Sequence, residues 1–451
     1  MTTKRKSNAA RNRGTRFGIF VAAMALSAAC GAQETPQPAA DVAMPGDDVT
    51  AFVGVRVVDG TGVAPIEDAT LLVRGSLIEA VGARDAVAIP DGSAVVDLAG
   101  RTIIPGLVNT HAHVGPTEGL RSDPELWTEA NVLRQLQLYA RYGITTVVSL
   151  GGEEAPAFAV RDGQADEEIS EARFYVAGPV ITAATPEEAR TRVDEVAALG
   201  SDFIKIRVDD NLGRTEKMTP DVYQAVIDQA HSHGLQVAAH IFYLADAKAL
   251  VSAGVDFLAH SVRDAPVDAE LIEALVARGV CVMPTLTREL STFVYRERPA
   301  FFDDPFFTRE VEPAVLTELE EPERQAAMRE SETALAYEAA LDVAKQNLAV
   351  LHDAGVGIAF GTDSGVVTRF QGYFEHLELE MMADAGLSPA EILHAATAGS
   401  AACMGLDERV GTLAPGLAAD FVVLQDDPLE DIRNTRTIES VWIAGRRIPG
   451  R

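Results

Sequence analysis

The 451-residue sequence predicts an α/β fold, a parallel (β/α)8 barrel of the TIM type with a small flanking β-sandwich, and three observations carry that prediction. Short β-branched runs alternate with helical stretches through the middle of the chain. That rhythm implies parallel strands, and eight such units close into a barrel. Both ends of the mature chain instead hold strand-like runs broken by Gly, Asp and Pro, so together they build the sandwich. Finally, polar residues that are costly to bury sit at the C-terminal ends of middle strands, where barrels build their sites. An open doubly wound sheet is the competing architecture. It wants a Gly-rich phosphate turn early in the chain, and none is present.

The first 30 residues stand apart from this fold. Lys4, Arg5, Lys6, Arg11, Arg13 and Arg16 form a basic start, and "FGIFVAAMALSAA" (residues 17–29) is an apolar run. It is short of the roughly 20 residues that span a bilayer. A basic lead, a short apolar segment and small residues after it read as an export signal. The run ends at Cys30, and this order resembles a bacterial lipoprotein, in which the cysteine becomes the lipidated N-terminus. Ser27 stands where the usual leucine falls, with Leu26 one place early, so simple cleavage to a soluble exported protein is the alternative. Residues 31–48 are polar and Pro/Ala-rich, a flexible tether. The expected address is the cell envelope, the periplasm or the exterior.

Residues 49–104 hold "AFVGVRVVDG", "ATLLVRGSLIEAVG" and "SAVVDLAGRTIIPG", the N-terminal part of the sandwich. Residues 405–451, with "ADFVVLQDDP" and "IESVWIAGRRI", complete it. Residues 105–404 form the barrel. Its strands are the run ending at His111, then "GITTVVSLGG", "ARFYVAGPVIT", "SDFIKIRVDD", "LQVAAHIF", "GVDFLAHSV", "GVCVMPTLT" and "GVGIAFGTDSG". One helix between them is plainly punctuated, with Thr219 to cap it, Pro220 at its first position and Gly234 beyond its end.

One connection is irregular. The segment between residues 287 and 345, including "FVYRERPAFFDDPFFTREVEP", is far longer than a strand-to-helix loop needs, and such excursions are commonly functional. It would overhang the site at the C-terminal rim. Cys281 and Cys403 lie among apolar neighbours and are expected as buried free thiols, too few for a disulfide framework. The formal charge of −29 argues against a nucleic-acid partner, since phosphate binding needs a basic face. A small-molecule substrate is expected, with membrane contact only through the lipid anchor.

In "RTIIPGLVNTHAHVG", His111 and His113 stand one residue apart at a strand end and so point the same way. Two imidazoles side by side suit a metal ion better than they suit each other. Four more polar residues interrupt apolar strands: Lys205 in "DFIKIRV", His240 in "VAAHIF", His260 in "DFLAHS" and Asp363 in "AFGTDSG". One such histidine is commonly a satisfied core residue. Six such residues from five strands are explained by one site. Histidine and carboxylate ligands suit Zn²⁺, with Mn²⁺, Fe²⁺ and Co²⁺ also compatible.

The order His-x-His, Lys, His, His, Asp on successive strands resembles the amidohydrolase superfamily. "PGLVNTHAH" and "GTLAPGLAADFVVL" extend the resemblance over nearly all of the mature chain. "DFIKI" before "AAHIF", and the twenty positions from His240 to His260, are most similar to the prolidase and imidazolonepropionase-related branch. The resemblance implies a hydrolase of C–N bonds in linear or cyclic amides, using two divalent metal ions, zinc first among them. It implies that His111, His113 and Asp363 bind one ion, that His240 and His260 bind the second, and that a carbamate on Lys205 bridges them. Elementary chemistry agrees, because an ammonium has no lone pair for a metal whereas a carbamate offers two anionic oxygens. Paired ions can hold a bridging hydroxide against a polarised carbonyl, and Asp363 can take its proton and pass it to the leaving nitrogen.

Arg207, on the strand face of Lys205, and Arg263, three residues after His260, are each candidates for a substrate carboxylate or for a structural ion pair. Prolidase-like relatives commonly place a tyrosine two residues after the fifth-strand histidine. Phe242 stands there, with Tyr243 one step on as a candidate substrate contact. His231 and His233 fall at a helix end and are expected at the surface. His352, His376 and His394 are expected to be structural. The competing functions are an Xaa-Pro-type dipeptidase, a phosphotriester or lactone hydrolase, and a catalytically idle cell-surface binding protein. The complete ligand set argues against the last.

Overall fold

The computed structural model describes residues 49–164 and 169–450. The export signal, Cys30 and the tether lie outside the described residues. Five strands open the described chain: β1 (Val49–Val57), β2 (Ile66–Arg74), β3 (Leu77–Ala83), β4 (Ala94–Asp97) and β5 (Thr102–Pro105). The next two elements are β6 (Leu107–Ala112) and a short hairpin of β7 (Thr117–Glu118) and β8 (Arg121–Ser122). Six parallel-type strands follow: β9 (Ile144–Ser149), β10 (Arg173–Val176), β11 (Phe203–Arg207), β12 (Gln236–His240), β13 (Phe257–Ala259) and β14 (Cys281–Met283). The chain ends with β15 (Phe421–Leu424), β16 (Ile438–Ile443) and β17 (Arg446–Arg447).

Both ends feed one mixed sheet of eight strands, in the order β17-β16-β15-β5-β1-β2-β3 with β4 paired to β1. Its core is aromatic and β-branched: the Phe52 ring meets Phe421 edge-on at 5.1 Å, and Phe421 stacks on Trp442 at 5.7 Å. A buried ion pair between Arg173 of β10 and Asp420 joins this sheet to the middle of the chain.

In the middle, β6, β9 and β10 form one parallel sheet and β11 to β14 form another, in chain order. All six residues of β6 and of β9 are buried, as parallel strands covered on both faces must be. Isolated parallel bridges link Ile181 to Ile206, Val282 to Ile358, and Ala112 to Ser364. This is a TIM-barrel-type α/β fold. The expected eighth strand, "GVGIAFGTDSG", is not a regular ladder. Residues 357–360 exchange hydrogen bonds with Val282 and Thr110, and residues 362–364 with His111 and His113. Asp363 then takes a positive φ of 59°, which ends regular pairing there.

The helix Pro220–Ser232 has the expected ends, although the Thr219 hydroxyl donates to the Asp221 carboxylate instead of accepting from the backbone. The excursion folds down instead of hanging free. Phe301, Phe302, Phe306 and Phe307 pack with Tyr142, Phe370, Tyr373 and Phe374, and the Tyr142 hydroxyl donates to the carbonyl of Phe306 at 2.9 Å. Arg141 grips Glu310 with two hydrogen bonds.

The expectation of free thiols is overturned: Cys281 and Cys403 form a disulfide, with their Cα atoms 6.1 Å apart. Cys281 opens β14 and Cys403 ends a short helix, so strands and helix bring together residues 122 positions apart. Gly357 makes the room, since a Cβ there would lie 2.8 Å from the Cys281 sulfur. Among the described residues no helix is long and apolar enough to cross a membrane.

Candidate metal centre

All six residues singled out from the sequence meet at one place. His111 lies within β6 and His113 just beyond it, and their rings are 5.7 Å apart. Nε2 of His113 lies 2.8 Å from Oδ1 of Asp363, and Nε2 of His111 lies 3.4 Å from the same oxygen. These three residues each offer a ligand atom, all within 4.8 Å of one another, and form a group that could hold a metal ion. Lys205, from β11, brings Nζ to 3.3 Å from Nε2 of His111. The His260 ring is 4.7 Å from that of His111 and 4.2 Å from that of His240.

The backbone is held in unusual conformations to make this possible. His260, Thr285 and Asp363 all have positive φ, at 74°, 49° and 59°. Such strain persists where surroundings over-determine it, and it clusters at functional sites. Here the amides of Thr362 and Asp363 both donate to the carbonyl of His111, which pins the Asp363 turn against β6. Gly151 has φ +116°, and a Cβ on it would press within 3.0 Å of the Lys205 side chain.

Each ring whose outer nitrogen is engaged keeps the other nitrogen for the centre. Nδ1 of His113 donates to the carbonyl of Gly151, Nε2 of His240 donates to Asp209 at 2.9 Å, and Nδ1 of His260 pairs with the hydroxyl of Thr285 at 2.7 Å. Nδ1 of His111 is buried with no hydrogen-bond partner. Metal-binding histidines are oriented in this way by a second partner on the far nitrogen. The residues therefore fit a metal.

Electrostatics point the same way. Burial holds His111 and His260 well below the usual imidazole pKa and His240 down to about 3, so all three carry a lone pair. Burial alone would raise the Asp363 pKa, but the Arg369 guanidinium and the contact with His113 outweigh it and keep the carboxylate ionised. Burial brings the Lys205 pKa down to about 7.

A further ring of groups escapes sequence reasoning. Asp209 is one: burial would raise its pKa, and the hydrogen bond from His240 overrides this and lowers it. Glu153 is another, accepting from the Ser149 hydroxyl and the amides of Gly151 and Gly178. Glu375 and Glu378, one turn apart on the helix Tyr373–Asp384, hold two strand-end loops. Glu375 accepts from Asn109, Thr362 and Ser364, and Glu378 from the amides of Leu286 and Thr287. In the sequence they are two of several polar residues on one helix, which sets neither apart.

The candidate substrate contacts are engaged with protein partners. Arg207 is exposed and lies 3.3 Å from Asp209. Tyr243 donates to Asp210 and has Lys217 over its ring at 3.9 Å. Arg263 is fully buried, donates to the carbonyls of Ile241 and Ser261, and pairs with Glu289. His231 and His233 lie at the surface against Asp256 and Asp194, as expected. His376 is buried with both ring nitrogens hydrogen-bonded, and His394 bonds the carbonyl of Gly60.

Four imidazoles, three of them held neutral by burial, a lysine of lowered pKa and an ionised aspartate at the rim of a TIM-type fold define a metal-binding centre. Residues 102–448 match the amidohydrolase family, and the chain belongs to it. It is 26% identical over 289 residues to ochratoxinase from Aspergillus niger, covering 61% of this chain and 52% of that one. It is 24% identical over 427 residues to imidazolonepropionase from Deinococcus deserti, covering 85% and 92%. The chain spans about half the length (51%) of the uncharacterized Mycobacterium bovis relative that it matches at 26% identity. Among solved structures, a putative prolidase from Bifidobacterium longum is similar with a TM-score of 0.72 and 25% identity, covering 90% of this chain and 95% of that one.

Proposed function

We propose that this protein hydrolyses C–N bonds in linear or cyclic amides, using two divalent ions, zinc by preference, at the rim of a closed eight-unit barrel. The observation that carries the reading is the set of imidazoles tied to protein through one nitrogen with the other left for the centre. The imidazolonepropionase, ochratoxinase and prolidase relatives support it.

In this reading His111, His113 and Asp363 hold one ion, and His240 and His260 hold the other. Lys205, its pKa brought down to about 7 by burial, would have enough neutral amine to take up CO₂, forming an N–C bond and releasing a proton, and the carbamate would offer two anionic oxygens to the centre. When bound, paired ions lower the pKa of a water and polarise the scissile carbonyl. Asp363 takes the proton of the attacking water on its carboxylate and returns it to the leaving nitrogen. Glu375, through Thr362 and Ser364, holds Asp363 in place for both transfers.

The Cys281–Cys403 disulfide supports an address outside the cytoplasm, because such bonds persist in oxidising compartments. Cys30, where lipidated, would fix the protein to a membrane surface. Elemental analysis of protein prepared with zinc and bicarbonate tests the centre, with about two ions per chain expected. One ion or none would overturn the binuclear reading. Lys205→Ala is expected to lose metal and activity, with partial rescue by short carboxylic acids. A panel of dipeptides, N-acyl amino acids, cyclic amides and uncharged amides tests the reaction, and silence across it would overturn the hydrolase reading.

A further inference from the structure

We infer that Thr285 is a positioning residue for His260: its hydroxyl accepts the proton of Nδ1, which fixes the imidazole tautomer whose Nε2 keeps a lone pair for the centre. This rests on the reading that His260 holds an ion, and it adds the residue that prepares His260 to do so.

Thr285 breaks two local rules. It follows β14 and stands at the N-terminal cap of the helix Leu286–Leu290, where a threonine hydroxyl ordinarily accepts from an amide of the first turn. Here the hydroxyl makes no such bond. Its backbone is left-handed, at φ 49° and ψ 47°, where a cap residue is ordinarily extended and a β-branched side chain is crowded. The residue is also fully buried, so water cannot stand in for a missing partner.

Both departures have one explanation. The carboxylate of Glu378 takes over the capping role, accepting from the amides of Leu286 and Thr287 at 2.7 Å each and from the Thr287 hydroxyl. With those amides met, the Thr285 hydroxyl is released to meet Nδ1 of His260 at 2.7 Å. His260 is itself left-handed, at φ 74°, so the bond joins two strained residues at the ends of paired strands. One residue further along, the Ser261 hydroxyl donates to the carbonyl of Pro284 at 3.1 Å and locks the same two loops together. Strain of this kind persists where the surroundings over-determine it, and it marks functional positions.

The direction of the bond decides the chemistry. A neutral imidazole carries its one proton on Nδ1 or on Nε2. Donated to the Thr285 oxygen, a proton on Nδ1 leaves Nε2 open to a cation. A hydroxyl that donated instead would put the imidazole proton on Nε2 and close that nitrogen to metal. The neighbouring rings are unambiguous, because their outer nitrogens meet acceptors only: the Gly151 carbonyl for His113 and the Asp209 carboxylate for His240. Thr285 completes this pattern with an oxygen that can accept in the same way.

The test is nitrogen NMR of metal-free protein carrying isotope-labelled histidine, which tells a protonated ring nitrogen from one with a lone pair. The His260 signals are identified by their loss in His260→Gln. In the unaltered protein the proton is expected on Nδ1, and in Thr285→Val that preference is expected to be lost. Zinc-loaded Thr285→Val is expected to give up one of its two ions to a chelator ~10–100-fold faster than the unaltered protein. Valine keeps the shape of threonine without the hydroxyl, and serine keeps the hydroxyl without the shape. A packing role therefore favours Thr285→Val as the better substitute, whereas the positioning role favours Thr285→Ser, which is expected to restore most of the retention. A proton on Nε2 of His260 in the unaltered protein, or ions held by Thr285→Val as firmly as by Thr285→Ser, would overturn the inference. Protein that takes up no zinc defeats the metal reading, and the NMR measurement still decides the tautomer. Two ions retained with Nδ1 of His260 unprotonated does the reverse.

Discussion

The two halves proposed for the centre are built differently. The half made by His111, His113 and Asp363 carries its own carboxylate, and its members touch one another directly. The half made by His240 and His260 has two imidazoles 4.2 Å apart, and its nearest carboxylate, Asp209, bonds the outer nitrogen of His240 instead of facing the centre. The first half could attract a cation unaided. In the proposed binuclear reading the second would depend on groups that supply charge from elsewhere: Lys205 if carbamylated, and Asp209 through the ring. Two sites of different self-sufficiency are expected to fill, and to fail, separately.

The largest expected effect lies in the first half. Asp363→Asn keeps the shape and removes the proton acceptor, and kcat is expected to fall by ~10²-fold or more with KM little changed. Near-normal turnover would place the acid–base role elsewhere. In the second half, Asp209→Asn leaves His240 in position but removes the negative charge behind it. Metal affinity on that side is expected to fall by ~10–100-fold, read as the rate at which a chelator strips one of the two ions while the other is retained. Loss of both ions together would show that the halves are one unit. Arg207→Met, one step further out, removes an exposed partner of Asp209 and is expected to change retention by less than about threefold. An effect as large as that of Asp209→Asn would mean that the outer charges act as a single network.

Much of this centre was legible in the sequence because the misfit was local. Lys205, His240, His260 and Asp363 each break an apolar strand near its end, and strand alternation alone puts His111 and His113 on one face. Asp209, Glu153, Glu375 and Glu378 carried no such signal. They are polar residues in loops or helices, where polarity is ordinary, and their roles depend on which atom faces which neighbour. Tyr243 and Arg263 have the right chemistry and sequence position for a substrate, yet Tyr243 donates to Asp210 and Arg263 is ion-paired with Glu289. The eighth strand was legible as an apolar run, but its irregular pairing follows from the turn at Asp363. The disulfide was invisible for a simpler reason: two cysteines 122 positions apart carry no mark of the contact.

That covalent tie has a consequence for wear. The bond from Cys281 to Cys403 encloses the whole excursion, together with Asp363, Glu375 and Glu378. A protease that nicks the backbone once anywhere in that span makes two fragments which stay joined. When the nick falls in the excursion, the N-terminal fragment keeps five of the six centre residues, and the C-terminal one keeps Asp363 and the strands β15 to β17 that complete the eight-stranded sheet. A nicked molecule would therefore hold its parts in register by one sulfur–sulfur bond as well as by packing, and would fall apart only when cut and reduced together.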